Sequence, residues 1–223
     1  MKRYFITGTG TDIGKTFATC ALTWQLRKKG LQVQALKPIA SGVDDNALST
    51  SDAGQLLRAM EKPLSEINTI CPWRYRAALS PDMAAKQEGI KYSFDELIAF
   101  CNAPAQADVQ LIEGVGGVMS PITTQHTVLN WMQKLAIPVI LVAGTYVGSI
   151  SHILSAVKAL DSAAVTLHGL IINESQGSAA SMLDTAETLA NHLPHKIPVR
   201  LLSRLDSNAD LWKDTGNHLE GLI

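Results

Sequence analysis

A chain of 223 residues, 46% of them apolar, is long enough for one α/β domain with a sizeable core. Nineteen basic residues against 20 acidic leave a net charge of −1, and the absence of basic runs argues against nucleic acid or an anionic membrane as the main partner. Three widely spaced cysteines (Cys20, Cys71 and Cys101) show neither a zinc pattern nor a disulfide framework, as expected of a reducing cytoplasm.

In chain order, strand and helix patterns alternate. Tyr4–Thr7 reads as a strand, and Lys15–Lys29 as a helix with Phe17, Ala18, Ala21, Leu22 and Leu26 on one face and Gly30 as its stop. Val33–Leu36 is a second strand, followed by a loop from Ile39 to Thr50 and a short helix from about Asp52 to Met60. Ser80-Pro81 starts a further helix that Gly89 ends, and Ser93-Phe-Asp-Glu96 has the capping-box pattern of the next. Val109–Ile112 and Ile137–Ala143 are buried-strand runs, the second leading into a helix over about Ile150–Leu160. Leu167–Ile172 is a strand and Ala179–His192 a helix. The longest apolar run, Ile137 to Gly144, is far short of the ~20 residues that span a bilayer, and the N-terminus has no apolar signal region, so a soluble protein is expected. The alternation predicts a single α/β domain over residues 1–223, its mostly parallel sheet covered by helices on both faces. Ligands of such sheets sit beyond the carboxyl ends of the strands.

The first strand runs into Gly8-Thr-Gly-Thr-Asp-Ile-Gly-Lys-Thr16, a phosphate-loop layout in variant form, with Thr9 where the usual pattern has glycine. Backbone N–H groups and the helix N-terminus suit an anion, Lys15 is placed for the β/γ-phosphates, and Thr16 for Mg²⁺. Lys37 follows the second strand, with Ser41 within reach; alone, such a lysine reads as readily as a solvated strand end. Asp52 stands at a helix start, where acids also serve as plain dipole partners. Glu113 ends an apolar strand before Gly114-Val-Gly-Gly117; with Thr16 and Asp52 it would give Mg²⁺ three oxygen ligands. Asn173 ends another strand. It lacks the following lysine and aspartate of a guanine reader, which favours adenine. The six histidines show no metal spacing, and Pro194 separates His192 from His195.

With these residues in place, the chain resembles dethiobiotin synthetase from Met1 to about Leu193. The resemblance rests on the phosphate loop, Lys37-Pro-Ile-Ala-Ser-Gly42, Ser80-Pro81, Glu113-Gly-Val-Gly-Gly117, Ile137-Pro-Val-Ile-Leu-Val142 and Leu170-Ile-Ile-Asn173. It implies an ATP- and Mg²⁺-dependent cyclo-ligase fold of the P-loop type. Its substrates would be ATP, CO₂ or bicarbonate and 7,8-diaminopelargonate, joined through a carbamate and a carbamic–phosphoric anhydride. It implies catalytic roles for Lys15 and Lys37. ATP would be held by Asp12, Ile13, Gly14, Lys15, Thr16, Phe17, Asp52, Glu113, Gly114, Val115, Gly116 and Asn173, and the metal by Thr16, Asp52 and Glu113. Thr11 and Ser41 would orient the diamine. Gly148, Ser149, Ile150 and Ser151 would receive its carboxylate across a homodimer interface. The chain departs from the family at Asp82 (usually histidine), at Ser151 (commonly asparagine), and in Leu201–Asp206, which lacks the usual Gly-x-x-Pro turn.

Two other readings stand beside this one. An amidating synthetase of the related phosphate-loop group, acting on another carboxylate, would need an ammonia or glutamine source, and 223 residues leave no room for a glutaminase domain. A partitioning-type ATPase switch generally carries an additional lysine early in the loop, where this chain has Gly10.

Overall fold

The structure, a computed structural model, describes residues 1–178, 180–193, 197–204, 210–215 and 218–223. Eight strands and eight α-helices are found among them: β1 (Lys2–Gly8), α1 (Lys15–Lys28), β2 (Val33–Leu36), β3 (Ile39–Ser41), α2 (Asp52–Ala59), α3 (Ile67–Ile70), β4 (Trp73–Tyr75), α4 (Pro81–Glu88), α5 (Phe94–Cys101), β5 (Val109–Glu113), α6 (Val128–Leu135), β6 (Val139–Ala143), α7 (Ser149–Ser162), β7 (Leu167–Asn173), α8 (Met182–Ala190) and β8 (Val199–Leu202). Six strands form one sheet in the order β2-β5-β1-β6-β7-β8, every neighbouring pair parallel. β3 and β4 pair separately, also in parallel. This is the expected α/β architecture.

Parallel strands joined by helical crossovers are covered on both faces, so they are apolar throughout instead of alternating. β5 and β6 are buried at every position. α1 packs with α2 and the C-terminal 3-10 turn Leu211–Thr215, while α5 packs on α6 and α7 on α8. Crossovers between parallel strands are as a rule right-handed, so connections running to opposite sides of β1 would place their helices on opposite faces of the sheet.

The register sets up the site. β1 pairs Ile6 with Glu113, and β2 pairs Leu36 with Ile112. One residue further along, Lys37 and Glu113 leave neighbouring strands level with each other and with Ile6, two residues before Gly8 ends β1.

Most expected elements stand within a few residues of their predicted bounds, and the Ser93–Glu96 capping box is formed. The loop expected from Ile39 to Thr50 instead contains β3 and a 3-10 turn, Asp45–Thr50. Ser80 occupies the N-cap of α4 without a side-chain capping bond; Pro81 in the first turn and Gly89 in a left-handed conformation delimit that helix. α6 was not expected, nor were β4 and β8. The last helix starts at Met182, and its predicted first residue, Ala179, lies outside the described residues, as do Pro194, His195, Leu205 and Asp206. All three cysteines are free and buried. No helix among the described residues is long and apolar enough to cross a membrane.

Candidate active site

α1 opens on Gly14, left-handed at φ 91°, with no side-chain cap and no acid in its first turn. By contrast Ser51, Ser93 and Ser181 cap α2, α5 and α8 with their hydroxyls. The first N–H groups of a helix have no intrahelical partner. At α1 no side chain claims them, so donors and dipole remain for an anion. The loop before it folds tightly. Asp12 is left-handed at φ 56°, an uncommon state for a residue with a Cβ. The Lys15 ammonium donates to the Gly10 carbonyl at 2.6 Å, curling back over the loop. Thr11 and Asp12 are exposed, Ile13 is buried, and Thr16 and Phe17 are half-buried.

Beside the loop lies an ion cluster built on the buried Lys37 and Glu113, with the partly exposed Asp52 at its edge. The Lys37 ammonium, 2% exposed, donates to Glu113 Oε1 at 2.7 Å and to the Gly114 carbonyl at 2.9 Å. It also lies 3.0 Å from Asp52 Oδ2. Thr16 Oγ1 donates to the same Glu113 oxygen at 2.7 Å. The other Glu113 oxygen, Oε2, is buried without a protein partner. Burying a lone charge is costly, and each member of this group is tolerated because the others are present. Burial by itself would push the Lys37 ammonium down, but Asp52 and Glu113 together outweigh it and raise its pKa, so the lysine stays charged. The Lys37 charge holds the Asp52 carboxyl below its ordinary range, against the effect of burial. Lys15 faces the opposite balance. Burial first, and then repulsion from Lys37, bring its ammonium down to about 8.

The structure thus brings Lys15, Thr16, Lys37, Asp52 and Glu113 into one group at the carboxyl edge of the sheet. Gly114–Gly117 passes over the phosphate loop, where the Val118 N–H donates to the Gly8 carbonyl at 3.1 Å. Asn173, at the end of β7, reaches under the loop and donates to the Ile13 carbonyl at 3.0 Å. Ser41, on β3, has a buried Oγ without a protein partner. Gly148–Ser151 stand elsewhere, as the cap and first turn of α7 beyond β6, and make no hydrogen bond to the lysine group among the described residues. That helix start repeats the features of α1: a left-handed glycine (Gly148, φ 92°), no side-chain cap and no acid in the first turn.

For a divalent cation, the described residues hold no cluster of three or more His, Cys, Asp or Glu side chains. Two carboxylates and a hydroxyl are nonetheless gathered here, with an unpartnered carboxylate oxygen among them. Such an oxygen set suits a hard ion that keeps water and phosphate as its remaining ligands. One supporting residue was not foreseen. Ser120 Oγ accepts from the Gly117 N–H at 2.7 Å and braces the glycine loop; a lone serine seven residues past Glu113 gives no pattern to read.

A parallel sheet, an uncapped glycine-led helix and a lysine–carboxylate cluster at its mouth define a P-loop protein that uses a nucleotide. A family model described as an AAA domain matches residues 2–215. An ATP-dependent dethiobiotin synthetase BioD of Methylobacterium nodulans is 43% identical over 201 residues, covering 86% of this chain and 89% of that protein. The ATP-dependent dethiobiotin synthetase BioD of Acidiphilium cryptum is 42% identical over 198 residues, covering 86% and 89%. The chain belongs to the ATP-dependent dethiobiotin synthetase family. Among solved structures, chloroplast FtsY of Physcomitrella patens matches at a TM-score of 0.51 with 15% identity, over 94% of this chain and 60% of that one. At such identity the likeness concerns the fold alone.

Proposed function

We propose that this chain, acting over its whole length as one P-loop unit, closes the ureido ring of 7,8-diaminopelargonate with CO₂ and ATP. The observation that carries this is the juxtaposition of an uncapped phosphate loop with the buried Lys37–Glu113 pair and the adjoining Asp52. One amine takes up CO₂ as a carbamate. A carbamate oxygen forms a bond to the γ-phosphorus as the bond to ADP breaks. The second amine then attacks the carbamoyl carbon, forming the second C–N bond, and phosphate departs with the former carbamate oxygen.

The protein's part is positioning and charge stabilisation. Main-chain N–H groups from Asp12 to Phe17 cradle the phosphates, and Lys15 neutralises the β/γ oxygens. Lys37 serves as a fixed positive charge for the carbamate and the γ-phosphoryl group. Its raised pKa makes it a charge stabiliser and not a base. Thr16, Asp52 and Glu113 would hold Mg²⁺, which supplies charge neutralisation on the phosphate oxygens. Gly114, Val115 and Gly116 close over the nucleotide, and Asn173 faces the adenine. Thr11 and the unpartnered Ser41 hydroxyl orient the diamine. In a homodimer, the first turn of α7 from the second copy, Gly148–Ser151, receives the substrate's carboxylate. On this reading the enzyme is cytoplasmic.

The test is product formation. Protein, MgATP, bicarbonate and 7,8-diaminopelargonate are expected to give dethiobiotin and phosphate in equal amounts. Phosphate release indifferent to the diamine would contradict the proposal.

A further inference from the structure

Asn173 ends β7, and its side chain reaches the phosphate loop on the far side of β6 and β1 from Lys37. The contact is close. A Cβ placed on Gly14 would lie 2.0 Å from Asn173 Nδ2, so only glycine leaves room for the amide. Ile13, whose carbonyl accepts from that amide, is held from a second side. Its Cδ1 fills the space beside Gly8, 2.4 Å from where a Cβ on that residue would sit.

The consequence lies in the peptide between Ile13 and Gly14. The chain has no cis peptide bonds among the described residues. Across a planar trans peptide the carbonyl and the next N–H point in opposite directions. Fixing the Ile13 carbonyl on Asn173 therefore turns the Gly14 N–H away from β7 and into the loop. No protein acceptor for that N–H is found among the described residues. Glycine tolerates either sign of φ, so nothing intrinsic to Gly14 holds this peptide one way up. The restraint comes from the strand-borne amide.

We propose that Asn173 is a positioning residue of the phosphate loop. By holding the Ile13 carbonyl it orients the Gly14 N–H toward the triphosphate, whatever base the nucleotide carries. This rests on reading Gly8–Thr16 as a triphosphate loop. A residue that only met the base would have no influence on a ligand without one.

Calorimetric titration with MgATP and with inorganic tripolyphosphate plus Mg²⁺ separates the two roles. Asn173→Ala is expected to weaken tripolyphosphate about five- to tenfold, the usual effect of one lost hydrogen bond, and MgATP by at least as much, because the same side chain faces the adenine. Asn173→Ser, too short to reach Ile13, should match it. The Gly14 amide proton in ¹⁵N–¹H spectra should shift on tripolyphosphate addition in the unaltered protein and lose most of that shift in both variants. Thermal unfolding without ligand shows whether each variant is folded, and a merely structural role would lower that midpoint while leaving affinities and the Gly14 shift alone. Weaker ATP binding with tripolyphosphate unaffected would overturn the proposal, as would two variants indistinguishable from the parent. Failure of the unaltered protein to bind either ligand would instead overturn the reading of the loop itself.

Discussion

Lys15 and Lys37 share a residue type and a neighbourhood, yet their surroundings prepare them for different work. Lys37 is neutralised by two carboxylates and stays charged; Lys15, buried and repelled by Lys37, is brought down to about 8. Lys37 should therefore act on charge that develops during reaction. Lys37→Ala is expected to lower turnover by about 10²–10³-fold while changing nucleotide affinity by less than about tenfold; equal losses in both would contradict that role. For Lys15 the effect is on pH. Between about 8 and its ordinary 10.5, the folded protein has released a proton that the unfolded chain still holds. The lysine's contribution thus raises stability as pH climbs through that window. Triphosphate affinity moves the other way, because the bound anion must restore the lost proton. Affinity should fall from pH 8 upward, approaching tenfold per unit, and calorimetry at pH 9 in buffers of different ionisation heat should detect nearly one proton taken up. No proton uptake, or the same uptake in Lys15→Met, would contradict this.

α2 shows how a secondary-structure element positions chemistry. Ser51 caps it by accepting from the Gly54 N–H at 3.2 Å, and Asp52 occupies its first turn. Gly54 is where α2 meets the preceding 3-10 turn. An added Cβ would lie 2.1 Å from the Leu48 carbonyl oxygen and 2.8 Å from Ser49 backbone. In an open helix, glycine to alanine stabilises by about 0.5–1 kcal/mol. Here Gly54→Ala should instead destabilise by about 1–3 kcal/mol, as overpacked sites do, and should raise the Mg²⁺ requirement by shifting Asp52. Urea unfolding and a metal titration of activity check both; a gain in stability would refute the packing argument.

The same element marks how far the chain could be read from sequence. Long apolar runs and strong start signals, such as β5, β6 and the Ser93–Glu96 box, were legible because local pattern and tertiary role coincide. β3 and β4 were not, since three-residue strands carry no period and depend on each other across more than thirty positions. α6 begins with a Thr127–Asn130 box in place of the usual glutamate or glutamine. Its buried Val128, Trp131, Met132 and Leu135 do carry helical spacing. In the site, residue types and their place after strands pointed to Lys15, Thr16, Lys37 and Glu113. What sequence could not supply was partnership: that Lys37 contacts both acids, or that the Asn173 amide reaches the loop from beneath.

Across the molecule, one sheet edge collects these parts. β1 delivers the phosphate loop, β2 the lysine, β5 the glutamate and β7 the asparagine, so the ligand site is assembled from four strands whose order is set by parallel pairing. The strand ends are held by a shared core, and the chemistry requires little of them beyond staying in place. What the assembly is proposed to do is transfer a phosphoryl group to a carbamate oxygen, which distinguishes it from a hydrolytic switch or an amidating synthetase. The fate of that oxygen can be followed. With ¹⁸O-labelled CO₂, ATP and diaminopelargonate in rapid-quench turnover, mass spectrometry of the released phosphate should show one ¹⁸O per molecule. Phosphate carrying only solvent and ATP oxygen would mean that no carbamate oxygen attacked the γ-phosphorus.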